Sequence, residues 1–201
     1  TTVARLLAKL YHAIGVLSRG QLVEVDRSGL VAGFVGQTAL KTQEVIDKAI
    51  GGVLFIDEAY ALTSHNGQND FGQEAVEVLL KNMEDHREDL IVIVAGYTEL
   101  MGEFIHSNPG LESRFNKYFY FSDYNGEEML AIFRSMCEKN GYRLDEAAGA
   151  YAKEVLDELY ACRDENFGNA RDVRNFFERS VSAQSDRLAA LEKLDEEALM
   201  A

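Results

Sequence analysis

The chain has 201 residues and a formal net charge of −14. That length suits one substantial domain, or one domain with a small appendage. The charge argues against a general nucleic-acid or anionic-membrane binder, and no apolar run is long enough to span a bilayer. No charged-then-apolar signal peptide is recognisable, so the expected location is cytoplasmic. Cys137 and Cys162 lie far apart and outside any CxxC pair. They are expected to be buried free thiols of a reducing compartment. His12, His65, His86 and His106 are scattered without metal-ligand spacing.

Val3, Leu6, Leu7, Leu10, Tyr11 and Ile14 follow helical i, i+3, i+4 spacing and predict an amphipathic helix over 1–14. After Gly15 and Gly20, residues 21–26 alternate as a strand does. The segment Leu30–Thr38 places Phe34 and Val35 between Gly33 and Gly36. It reads as a mobile loop showing apolar side chains or as a turn with Phe34 tucked into the core, and taken alone the turn is preferred. A helix over 38–49 follows, with Val45, Ile46 and Ala49 on one face, and Gly51-Gly52 ends it.

Val53-Leu54-Phe55-Ile56-Asp57-Glu58 is the most informative stretch. Four apolar residues in a row read as a strand buried on both faces, as in a parallel sheet. Carboxylates at its C-terminal end would stand at the rim where open α/β sheets bind ligands. This is the Walker B pattern: an Asp that helps hold Mg²⁺ on a nucleotide, and a Glu that polarises the attacking water. The plain alternative is a strand that ends at an acidic helix cap.

Residues 63–69 are a polar loop. Asp70, with Gln73 three residues later, resembles a capping box that opens a helix burying Val76, Leu79, Leu80 and Met83. Leu90–Ala95 is a second fully apolar run, hence a second buried strand, with Gly96-Tyr97-Thr98 at its tip. A short helix over 99–105 leads to a turn at Asn108-Pro109-Gly110. Lys117–Phe121 is expected to be the last strand. From Asp123 the pattern turns all-helical. Asn125 and Glu128 form a capping box, Met129, Ile132, Phe133, Met136 and Cys137 make a stripe, and two more helices cover about 146–161 and 170–190. The tail from Leu191 is acidic. The expected organisation is an α/β part over 1–123 and a helical part over 124–201.

Four separated blocks resemble the CbbX / stage V sporulation protein K group of AAA+ ATPases, to which type VII secretion modules are related. They are Leu22–Thr38, Gly52–Leu62, Asn108–Asn116 and Glu165–Asn175. The resemblance covers nearly the whole chain. It implies a P-loop-type parallel sheet flanked by helices with a C-terminal helical lid, ATP and Mg²⁺ as cofactors, and a self-assembled ring, usually of six subunits. By the same resemblance Asp57 is the magnesium carboxylate and Glu58 the catalytic glutamate. Arg114 is the arginine finger acting on a neighbour's nucleotide, Arg171 the sensor-2 arginine, and Thr98 the sensor-1 residue. Phe34-Val35-Gly36 resembles the pore loop that grips a polypeptide, which reverses the preference for a tucked Phe34.

The phosphate-binding Gly-x-x-x-x-Gly-Lys-Thr is not found. Thr1 resembles its terminal, magnesium-coordinating Thr, so the sequence is expected to be a fragment lacking the phosphate loop and the first strand. As written it is expected to bind ATP poorly and to leave apolar faces open. The implied function is an ATP-driven remodeller of a protein client, a Rubisco-type client if CbbX-like. The competing reading is a non-hydrolysing scaffold that kept the AAA+ shape. A DNA clamp loader or initiator would call for a basic face, which the sequence does not show.

Overall fold

A computed structural model describes residues 1–34, 36–63, 71–164 and 167–190. Val35, most of the polar loop at 64–70 with its expected cap Asp70, Glu165, Asn166 and the tail from Leu191 lie outside the described residues. The chain divides into two units, Thr1–Tyr120 and Phe121–Ala201.

Among its described residues the first unit is built on three parallel strands in the order β1 (Leu22–Val25), β2 (Val53–Ile56), β3 (Ile91–Val94). In register, Val53 faces Leu22 and Ile91, and Ile56 faces Val25 and Val94. Side chains alternate between faces along a strand, and β2 shows why all four of its residues must be apolar. Leu54 and Ile56 enter a core with Ile46, Val76, Leu79 and Phe104. Val53 turns to the other face, against Ala8 and Leu17. Each fully buried Leu or Ile there contributes about 1.5–3 kcal/mol. The helices covering these faces are α1 (Thr2–Ala13) on one side and α3 (Thr38–Ala49) with α4 (Gly72–Asp85) on the other.

Helix α1 does not bury the stripe expected of it. Leu6, Leu10 and Ile14 are more than half exposed, and the face against the sheet is Ala4 and Ala8. Small side chains let the helix axis approach the sheet closely, which turns the larger residues outward. Strand β3 is half-buried rather than fully buried, because among the described residues it pairs on one edge only. The expected strand over 117–121 does not form. Tyr118, Phe119, Tyr120 and Phe121 are each 70 % exposed or more. Without a ladder partner and without burial, nothing offsets the entropy of fixing an extended backbone.

Short elements punctuate the strand tips: α2 (Arg27–Leu30), capped by the Asp26 carboxylate accepting from Gly29 N–H, and a 3₁₀ turn at Ala59–Leu62. Beyond β3 come α5 (Thr98–His106) and α6 (Pro109–Arg114). The expected turn at 108–110 is the start of α6. Asn108 Oδ1 accepts from Gly110 N–H at 2.7 Å, and Pro109 sits at the first helical position, where it lacks no needed donor.

Among its described residues the second unit is a cluster of three helices: α7 (Gly126–Lys139), α8 (Glu146–Ala161) and α9 (Ala170–Ala189). The capping box at Asn125 and Glu128 forms with both reciprocal bonds, each 3.0 Å. Met129, Phe133, Leu156 and Val173 make the core, and Phe133 lies 4.9 Å from Phe176 between ring centroids. Cys137 is buried as expected, but Cys162 is exposed, because it caps the end of α8 rather than facing the cluster.

At the other end of the sheet, Asp89 accepts from Ser18 N–H at 2.8 Å and Ser18 Oγ–H at 2.7 Å. The Ser18 hydroxyl, then its backbone N–H, hold the Asp89 carboxyl below its ordinary value of 3.8. A depressed carboxyl contributes stability that is complete above the unfolded value and is lost as pH falls through the folded one. Asp89→Asn should therefore lower the thermal midpoint at pH 7. The gap from the parent should close in acid scans below pH 3.8.

Candidate functional site

Because the strands are parallel, their C-terminal tips share one edge. Residues 25–27, 56–58 and 94–98 therefore converge there. The Asp57 N–H donates to Val25 O at 2.9 Å, so β2 stays tied to β1 one residue beyond its own end. Burial then changes within a single step: Ile56 is fully buried, whereas Asp57 and Glu58 are exposed. Two carboxylates are thus presented at the rim on a backbone that the core holds still.

Glu58 adopts the left-handed region, φ 48° and ψ 44°. The conformation is pinned on both sides. Asp57 Oδ1 accepts from Glu58 N–H at 3.1 Å, Ala59 N–H donates to Ala95 O at 3.1 Å, and Glu58 O accepts from Ala61 N–H at 2.9 Å. Ala59 is fully buried and anchors the turn. Arg27, at the tip of β1, donates to the Ala61 carbonyl and ties the same turn from the other side. Neither Arg27 nor the strain at Glu58 was signalled by the sequence pattern.

Thr98 is the first residue of α5, exposed, just past the tip of β3. Thr1 precedes α1, and its hydroxyl donates to Glu24 Oε1 at 3.0 Å; Arg5 approaches the other Glu24 oxygen at 3.8 Å. Glu24 is a partner the sequence reading missed. Arg114 ends α6 and contacts Glu84 and Gly110 rather than Asp57 or Glu58. Its Nη2 lies 3.5 Å from Glu84 Oε2, its Nη1 donates to Gly110 O at 3.4 Å, and its Nε is buried without a partner.

Phe34 is 72 % exposed at the tip of the segment between α2 and α3, and Gly36 has φ 76°. The base of this loop is fixed. Ala32 N–H donates to Thr38 Oγ1 at 3.0 Å, and Thr42 Oγ1 donates to Leu30 O at 3.1 Å. Val35, the middle residue of the expected pore loop, lies outside the described residues.

In the second unit, Arg171 is exposed in the first turn of α9, where a cation opposes the helix dipole. The residue before this helix, Asn169, has φ 55°. It donates from Nδ2 to Asp123 Oδ1 at 2.8 Å and accepts from Tyr124 N–H at 3.2 Å.

The family model of the ATPase family associated with various cellular activities (AAA) matches residues 1–123, and that of the AAA lid domain matches residues 125–201. The chain belongs to the AAA family. Among its relatives, stage V sporulation protein K of Bacillus subtilis strain 168 is 43 % identical over 189 residues, covering 94 % of this chain and 58 % of that protein. The plasmid-borne protein CbxX of Cupriavidus necator is 44 % identical over 188 residues, covering 94 % and 59 %. Protein CbbX of Cereibacter sphaeroides is 42 % identical over 188 residues, covering 94 % and 60 %. The chain therefore spans about three-fifths of the length of these relatives. A solved structure of a RuvB mutant from Thermotoga maritima superposes with a TM-score of 0.59 at 15 % identity, covering 98 % of this chain and 56 % of that one. A second RuvB mutant gives 0.57 at 16 % identity, with the same coverage. The AAA fold, a parallel sheet with flanking helices followed by a lid, is the fold of this chain. Among the described residues no helix is long and apolar enough to cross a membrane.

Left-handed backbone costs a non-glycine residue about 1–2 kcal/mol. Glu58→Gly should therefore raise the unfolding free energy of the nucleotide-free protein by about 1 kcal/mol, read from denaturant midpoints, while removing the carboxylate from the rim.

Proposed function

We propose that this chain is the nucleotide-hydrolysing part of a ring-forming AAA+ remodeller that acts on a polypeptide client. The observation that carries the proposal is the exposed Asp57–Glu58 pair. It stands one residue beyond a fully buried strand, at the edge where three parallel strand tips converge.

The donor set suits a hard cation. Asp57 offers carboxylate oxygens of the kind Mg²⁺ takes, and Thr1 offers a hydroxyl once it releases Glu24. When bound, Mg·ATP supplies the phosphoryl group to be transferred. Glu58 is the residue that accepts a proton from the attacking water; its fixed backbone keeps that acceptor from wandering. Thr98, beside the exposed N–H groups that open α5, orients polar groups at the rim. Arg114 acts across a subunit boundary on a neighbour's phosphates. Its guanidinium is planar and permanently charged, which suits developing charge on a phosphoryl group. Arg171, by the family resemblance, is assigned as a phosphate-binding cation. Phe34, Val35 and Gly36 form the client-gripping loop, and nonspecific apolar contact suits a client of variable sequence. The relatives carry sporulation and Cbb/Cfx-type names. By the resemblance to the CbbX group, a Rubisco-type client is the first to try.

The test is steady-state ATPase activity in the full-length protein. Glu58→Gln should keep nucleotide binding and lower kcat by about 100-fold, the scale of a lost general base. Arg114→Ala should lose activity alone and regain part of it when mixed with Glu58→Gln subunits. Normal turnover by Glu58→Gln would remove Glu58 as the base, whereas a well-folded protein that binds no nucleotide and turns none over would replace the motor with a scaffold. For the loop, Phe34→Ala should leave basal hydrolysis intact and abolish client remodelling. Remodelling that survives the substitution would remove Phe34 from the client path.

A further inference from the structure

Beyond their backbone hydrogen bonds, the strand tips that carry Glu58 and Thr98 meet at the side chain of Tyr60. It stands two residues after Glu58, in the 3₁₀ turn. A Cβ built at Gly96 would fall 2.7 and 2.8 Å from Cδ1 and Cε1 of the Tyr60 ring, and 2.9 Å from Met101 Sδ. The ring therefore occupies the space that any side chain at position 96 would need. Gly96 has an ordinary backbone, so the close approach, not conformational freedom, is what requires a glycine here. The same ring lies 6.4 Å from that of Tyr97 between centroids, tilted by 43°. Tyr60, Val94 and Met101 all pack on the edge of the main core.

The turn bearing Tyr60 is the one that fixes Glu58. Glu58 O accepts from Ala61 N–H, and Ala59 N–H reaches Ala95 O, the residue before Gly96. Backbone and ring thus tie the β2 tip to the β3 tip at adjacent points. We propose that Tyr60 is a positioning residue: its ring, seated on Gly96, sets the distance between the Glu58 carboxylate and the Thr98 end of β3. The inference rests on the hydrolytic reading of Glu58 given above. Burial, then the charge of Glu58, raise the Tyr60 phenol above its ordinary value, which agrees with a hydroxyl close to that carboxylate. It is the ring, not the hydroxyl, that fills the space over Gly96.

A base misplaced by about 1 Å can cost about 100-fold in rate. Removing the ring should act on kcat and leave nucleotide affinity alone. In the full-length protein, Tyr60→Ala is expected to lower the kcat for ATP hydrolysis by about 10-fold or more with KM little changed. Tyr60→Phe should restore most of it. Gly96→Ala drives a methyl into the ring and should also lower kcat. The double variant Tyr60→Ala/Gly96→Ala should be no slower than Tyr60→Ala, because the ring that the methyl strikes is gone and the flexible Met101 side chain can shift aside.

Glu58→Gln is run beside them. If Glu58→Gln is inactive while Tyr60→Ala and Gly96→Ala turn over normally, the positioning role falls and the hydrolytic reading stands. If Glu58→Gln turns over normally, Glu58 is not the base, and the positioning role that rests on it falls with it. Tyr60→Phe as slow as Tyr60→Ala would overturn the role of the ring. So would fully additive losses in the double variant, or a loss that tracks the circular dichroism of an unfolded protein.

Discussion

The pairing of β2 between two parallel neighbours is the constraint on which the rest depends. A central parallel strand has no solvent face, so its residues must be apolar on both sides, and Val53–Ile56 are. The same ladder fixes direction. Every strand of the sheet ends at the same edge, and polar residues placed just after a strand collect there without any further device. Asp57 and Glu58 are rim residues because the burial of Ile56 stops the chain from sliding by even one position. A slip of one residue would turn Leu54 and Ile56 out of their core and put a carboxylate inside it.

Backbone strain marks the same places. Among the described residues, only Glu58 and Asn169 are non-glycine with positive φ. One is a candidate reacting residue, and the other stands two positions before Arg171. Each is held by hydrogen bonds, as strained positions must be if they are to persist. At Glu58 the restraints come from Asp57, the turn that follows and the tip of β3. At Asn169 they come from Asp123 and Tyr124. These contacts bring residues distant in sequence to within hydrogen-bond reach. They leave no periodic signature.

Much of the fold was legible because its signals are local. The apolar run before Asp57 told its strand, and Asn125 with Glu128 told the start of α7, since a capping box is complete within four residues. The readings that failed depended on what lies opposite. Helix α1 has a clear stripe, but the sheet chose Ala4 and Ala8, and no periodicity says which face of a helix a neighbour will prefer. Residues 117–121 have strand composition, yet a strand is a relation between two segments. Asn108-Pro109-Gly110 reads equally as a turn or as a capped helix start. At the site, residue type and position exposed Asp57 and Glu58, whereas Tyr60, Arg27 and Glu24 act through partners that only the folded chain supplies. The fit of the Tyr60 ring over Gly96 lay in plain view as two ordinary residues, in stretches of sequence that give no hint they touch.

The two cysteines divide into unlike chemical species. Cys137 is 4 % exposed, and burial raises its thiol, so little thiolate forms and little reagent reaches it. Cys162, at the open end of α8, is in contact with water. A brief treatment with maleimide would thus label this chain at Cys162, on the helical unit, and spare Cys137. Emission from that label would report on the surroundings of the end of α8.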